Sequence, residues 1–111
     1  MTVPDITPAE ALNRIAAGAV LLDVREQDEW DAGHAPQASH LAMSELAARV
    51  EELPRDVELV CVCHVGGRSA MVTDALNRAG WRAVNLAGGM RAWQAAGYEV
   101  VDAAGQPGDA Y

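Results

Sequence analysis

The sequence contains no lysine. Its eight basic residues are all arginine, set against sixteen acidic ones, for a formal net charge of −8. With no basic stripe to displace counterions from phosphates, nucleic acid is a poor partner, and an anionic substrate must be held by a local device. Cysteine is scarce too: Cys61 and Cys63 are too few for a disulfide scaffold, and at i and i+2 of a strand they cannot easily bridge each other. "CVCH" crowds three potential ligands into four residues with no second cluster, a poor match to a zinc site. No apolar run approaches the roughly 20 residues that span a bilayer. The start, "MTVPDITPAEAL", lacks the basic and continuous apolar stretches of a secretory signal. A cytoplasmic protein with no membrane and no nucleic-acid partner is expected. Repeats and low-complexity tracts are missing, and 111 residues, half of them hydrophobic, suit one globular domain.

What is present alternates helix with strand. "ITPAEALNRIAAG" carries a capping box, Thr7 with Glu10, and Pro8 at the first helical position, and Gly18 closes it. "AVLLDV" (19–24) is a short apolar run of the kind buried on both faces of a sheet. "REQDEWDAGH" predicts a short helix or turn ended by Gly33, and residues 35–43 a loop with one brief strand. Ser44 is placed to cap "ELAARVEEL", which Pro54 stops. "VELVCVC" (57–63) is the strongest strand, followed by a helix over 68–80, a strand over 82–86, a helix over 88–97 and a last extended piece, "YEVV". The pattern implies a parallel sheet of about five strands flanked by helices on both faces, an α/β domain over residues 1–101 with a loose tail over 102–111. In such sheets ligands bind beyond the carboxyl ends of the strands, where Cys63 falls.

The stretch "CHVGGRS" (63–69) collects the ingredients of a reactive thiol. A helix starting near Gly67 turns unpaired N–H groups and a partial positive charge toward the loop. Gly66 and Gly67 let the backbone bend so that those groups converge, and Arg68 adds a permanent charge. A thiol at Cys63 should therefore be largely thiolate near neutral pH, and the same cradle would hold a small oxyanion. Cys61, inside the strand, reads as core.

This loop resembles the active-site loop of the rhodanese-type sulfurtransferases, in which Cys and Arg are separated by four residues. "LLDVREQDEWDAGHAPQA" (21–38) is similar to the family's N-terminal signature, and "VNLAGGMRAW" (84–93) to its C-terminal one; together they span about residues 5–100. Cysteine phosphatases keep one more residue between Cys and Arg, so the shorter loop suits sulfur rather than phosphate. The resemblance implies a rhodanese-like fold and a two-step transfer of a sulfane sulfur from thiosulfate or a persulfide donor to cyanide or a thiol. Cys63 would carry the sulfur as a persulfide. It implies Cys63 and Arg68 as catalytic residues and His64, Val65, Gly66, Gly67, Arg68 and Ser69 as the substrate-binding loop, without metal or organic cofactor. The alternative is a persulfide carrier or interaction module that serves an acceptor protein.

The remaining candidates are less specific. His64 either tunes the sulfur or is a solvent-facing loop residue. Asp23, Arg25 and His34 read as structural, Trp30, Trp81 and Trp93 as packing, and Gly88 and Gly89 as helix entry or a close approach to the loop. Gln37 stands where the family commonly has glycine, which puts that turn in question.

Overall fold

The computed structural model describes residues 3–110. Its sheet is built from β1 (Asp5–Ile6), β2 (Val20–Asp23), β3 (Ser39–His40), β4 (Leu59–Val62) and β5 (Ala83–Leu86). All pairings are parallel and the order is β1-β5-β4-β2-β3, so β4 is central, with Leu22 opposite Cys61 and Cys61 opposite Asn85. The helices are α1 (Pro8–Ala16), α2 (Gln27–Ala32), α3 (Leu46–Arg49), α4 (Gly67–Arg78) and α5 (Gly89–Ala95). None is long and apolar enough to cross a membrane.

The period-2 pleat splits the core into two. Val60, Val62 and Leu86 pack with Ala11 of α1 and with Met90 and Trp93 of α5. Leu59, Cys61 and Ala83 pack on the other face with Val72 and Leu76 of α4, and Leu46 of α3 borders them. Cys63 continues the second face. The α/β architecture expected from the alternating pattern is the one observed.

Several local expectations differ. The capping box forms as written, with Glu10 N–H donating to Thr7 Oγ1 at 3.2 Å and Thr7 N–H to Glu10 Oε1 at 3.3 Å. Ser44, however, does not cap a helix. It sits in a 3-10 turn, Met43–Glu45, and its hydroxyl donates to Glu26 Oε1 at 2.6 Å; a four-residue α-helix and a second 3-10 turn, Val50–Glu52, follow. The fifth strand is Asp5–Ile6 rather than "YEVV", whose Val101 makes only isolated bridges to His34 and Pro107. Residues 102–110 fold back instead of trailing: Gly108 N–H donates to Val100 O, Asp109 N–H to Ala32 O at 3.1 Å, and Ala110 is buried. Tyr111 of the expected tail lies outside the described residues. The turn at Gln37 closes without glycine through Ala38 N–H to Ala35 O at 3.0 Å, and no non-glycine residue among those described has a positive φ.

At the end of β2, Asp23 and Arg25 are both fully buried and bonded through Arg25 Nη2 to Oδ2 at 2.8 Å and Nε to Oδ1 at 3.0 Å. Arg25 also donates to Gly33 O at 2.6 Å, which fixes the end of α2. Removing one partner strands the other charge in a dry interior. Asp23→Ala should lower unfolding free energy by about 3–5 kcal/mol, seen as a drop in the urea midpoint. A loss no larger than that of an ordinary surface substitution would contradict this role.

Candidate active site

The strand β4 delivers Cys63 to its carboxyl end, and Gly66 then turns the chain. Gly66 has φ 111°, a left-handed conformation that side-chain-bearing residues rarely adopt, and its N–H points back to Cys63 Sγ at 3.1 Å. Gly67 has no such φ and open space where a Cβ would lie, so only one of the two glycines is required by the turn. The Ser69 hydroxyl lies 3.3 Å from the sulfur, and Cys63 itself is only 1% exposed.

These contacts decide the state of the thiol. Burial is the largest single influence and favours the neutral form. It is outweighed by hydrogen bonds from the Ser69 hydroxyl and from the amides of Ser69, Gly66 and Arg68, which together hold Cys63 below the ordinary thiol value. Cys61, two residues earlier on the same face, has no such loop. Burial pushes it up to about 11, offset only in part by Thr73. The two cysteines are free, and environment alone separates them.

The outer side of the loop is held by α5. Met90 N–H donates to Cys63 O at 2.7 Å and Arg91 N–H to His64 O at 3.0 Å. A Cβ on Gly89 would fall inside the backbone of Cys63 and His64, so close approach, and not helix entry alone, accounts for this glycine. With its carbonyls satisfied outside, the loop turns amides inward.

Arg68 is placed differently from the simple expectation that it faces Cys63. Its guanidinium makes a bidentate pair with Glu29 of α2, at 2.6 and 2.9 Å. Arg68 holds Glu29 below the usual carboxylate value, against burial, and Glu29 in turn raises Arg68. Sequence reasoning placed Glu29 in the acidic-aromatic pair of the N-terminal signature but missed its pairing with Arg68. It also missed Asn85 of β5, whose Oδ1 lies 2.6 Å from Ser69 Oγ. No local signal marks either contact; both are selected by partners far along the chain.

Among the other candidates, Val65 is 53% exposed on the loop. His64 is half-buried and its Nδ1 lacks a hydrogen-bond partner among the described residues. His34 bonds Trp30 O through Nδ1 at 2.7 Å and stacks on the Trp30 ring, whose other neighbour is His40, an arrangement that ties down the α2 segment. Trp81 and Trp93 are buried, donating to Leu53 O and Glu99 O.

Comparison with known proteins agrees with this geometry. The family model for the rhodanese-like domain matches residues 7–96. YtwF of Bacillus subtilis, named as a candidate sulfurtransferase, is 38% identical over 96 residues, covering 85% of this chain and 93% of its own. YrkF of the same organism, named as a candidate sulfur carrier protein, is 36% identical over 74 residues. That match covers 66% of this chain and 40% of YrkF. Among solved structures, a rhodanese-related protein from Thermoplasma volcanium superposes with a TM-score of 0.83 at 33% identity, over 88% of this chain and 97% of that one.

The two thiols should titrate far apart. Ultraviolet thiolate absorbance, read as wild type minus Cys63→Ser, should show a midpoint below the ordinary thiol value, and wild type minus Cys61→Ser only one at about 11. Coincident midpoints would contradict the contrast.

Proposed function

The chain belongs to the rhodanese-like domain family, and on that premise we propose that it is a sulfurtransferase working through a persulfide on Cys63. The Cys63 thiolate attacks the sulfane sulfur of thiosulfate or of a persulfide donor. A new S–S bond forms to Cys63, the donor's own bond to that sulfur breaks, and sulfite or a thiolate leaves with the electron pair. An acceptor, cyanide or a thiol, then attacks the terminal sulfur, takes it as thiocyanate or a persulfide, and Cys63 returns as thiolate. Splitting the transfer this way gives two displacements at sulfur in place of one encounter of donor and acceptor.

The observation that carries the reading is the convergence on Cys63 Sγ of the Gly66 amide, at 3.1 Å, and the Ser69 hydroxyl, at 3.3 Å, within a loop of sulfur-sized spacing. Loop amides already aimed at the thiolate serve equally for the negative terminal sulfur of the persulfide. Arg68 and Glu29 hold the rim of the loop, and His64, Val65 and Gly67 line its run. A reducing, cytoplasmic setting suits two free thiols.

A second reading, a persulfide carrier that serves a partner protein, is favoured by the surface. Among the described residues, Val65, in the loop, and Met71, on α4, are the large hydrophobic residues that remain exposed, at 53% and 54%. An exposed apolar side chain in the loop that carries Cys63 suits a protein acceptor better than a small anion.

Intact-mass measurement after incubation with thiosulfate should show a gain of one sulfur atom, lost on treatment with cyanide and absent in Cys63→Ser, with the variant's melting temperature near that of wild type. A gain that survives Cys63→Ser would remove Cys63 from the role. Loading without turnover on cyanide, restored by a partner protein, would select the carrier.

A further inference from the structure

Ser69 has one hydroxyl proton and more than one acceptor in reach. Its Oγ lies 2.6 Å from Asn85 Oδ1, 3.3 Å from Cys63 Sγ and 3.4 Å from Gly66 O. Which of them receives the proton depends on how the Asn85 amide is turned. Asn85 Nδ2 donates to Asp5 Oδ1 at 3.0 Å and to Gly66 O at 3.3 Å. Those two acceptors use both N–H directions of the amide, and the opposite orientation would set Oδ1 against a carboxylate and a carbonyl. Oδ1 therefore faces Ser69, and at 2.6 Å it is the best-placed acceptor for the hydroxyl. Both residues are buried, Ser69 fully and Asn85 at 4% exposure, so water does not compete easily.

We propose that Asn85 is a positioning residue for the reacting thiol: it draws the Ser69 proton to itself, leaving Ser69 Oγ to face Cys63 as an acceptor. At rest the neutral thiol donates to Ser69 Oγ, and Ser69 donates to Asn85. On ionisation the S–H bond breaks, the electron pair stays on sulfur and the proton leaves to water. The hydroxyl can then turn about its Cβ–Oγ bond to donate to the thiolate, but only by giving up Asn85. Ser69 thus serves the thiolate at the cost of a second bond, and the loop amides supply the stabilisation that needs no exchange.

The charged groups around the sulfur are few. Arg68 is paired with Glu29, Asp23 with Arg25, and Asp5 reaches the network only through Asn85; His64 is the adjacent titratable neighbour. None of them fixes the Ser69 proton directly. The inference rests on Cys63 being the reacting thiol, yet its readout is ionisation rather than transfer. A protein that titrates as expected and moves no sulfur would sink the proposed function and leave this inference standing.

The test is the Cys63 thiolate absorbance against pH, each background corrected with its own Cys63→Ser partner. Asn85→Leu, close to Asn in shape, and Asn85→Ala are paired so that a folding failure in one leaves the other. Both should move the midpoint down by about half to one pH unit, the worth of one hydrogen bond. Ser69→Ala removes the hydroxyl on which the effect depends, so adding either Asn85 variant to Ser69→Ala should change nothing further. Asn85→Asp, which keeps an acceptor toward Ser69, should stay at or above wild type. A merely structural role for Asn85 would not produce opposite signs for Leu and Asp. An unmoved or raised midpoint in Asn85→Leu or Asn85→Ala overturns the proposal, as does a shift that persists without the Ser69 hydroxyl.

Discussion

The site depends on a pair of charges that never touch it. Asp23 and Arg25 lie fully buried at the end of β2, where two ions can stay only if each satisfies the other. Arg25 has donors to spare, and it uses them on the backbone of α2, at Gly33 O and, more weakly, at Glu29 O. A six-residue helix has little stability of its own. Pinned in this way, it can hold Glu29 still enough to make a bidentate grip on Arg68, at the start of α4. A buried ion pair on one strand thereby sets the position of a loop that leaves the next.

The sheet contributes the second half of the arrangement. Cys61 and Cys63 occupy the same face of the central strand, two residues apart, within one apolar cluster. One residue is still within the ladder, where burial disfavours a charge. The other is one step past its end, where the backbone stops pairing with neighbouring strands and offers its amides to the sulfur. Moving two residues along a strand is enough to turn an inert thiol into one poised to ionise. The same boundary is where parallel sheets place their ligands in general, because that is where unpaired backbone dipoles collect.

Much of this was legible from the sequence, and the reasons are local. The Thr7–Glu10 capping box, the apolar run of β4 and the Gly66 turn into α4 are each specified by residues a few positions apart. What was not legible depends on distant partners. Asp5–Ile6 is too short to announce a strand and becomes one only by pairing with Asn85 and Leu86. Ser44 has the chemistry of a cap, but its hydroxyl donates to the Glu26 carboxylate in place of accepting from a helix N–H. The polar, glycine-rich stretch after Val101 has no core-forming pattern, and it is held mainly through its backbone, on Asp31, Ala32 and Val100, which composition does not reveal. The roles of Glu29 and Asn85 were invisible for the same reason: an acidic residue on a short helix and an amide in a strand acquire meaning only from what the fold sets opposite them.

The Arg68–Glu29 pairing has a consequence for how the loop attracts electrons. With its guanidinium neutralised by a carboxylate, the loop's pull on a negative sulfur comes chiefly from oriented N–H dipoles. Mobile ions screen exposed charges over about 8 Å at physiological ionic strength. Peptide dipoles packed against a buried sulfur are beyond their reach, and unlike a side-chain cation they neither titrate nor swing away. The loop is accordingly a short-range device. It does little to gather anions from solution, and it holds a single sulfur in much the same way in dilute buffer as in a crowded, salty cell.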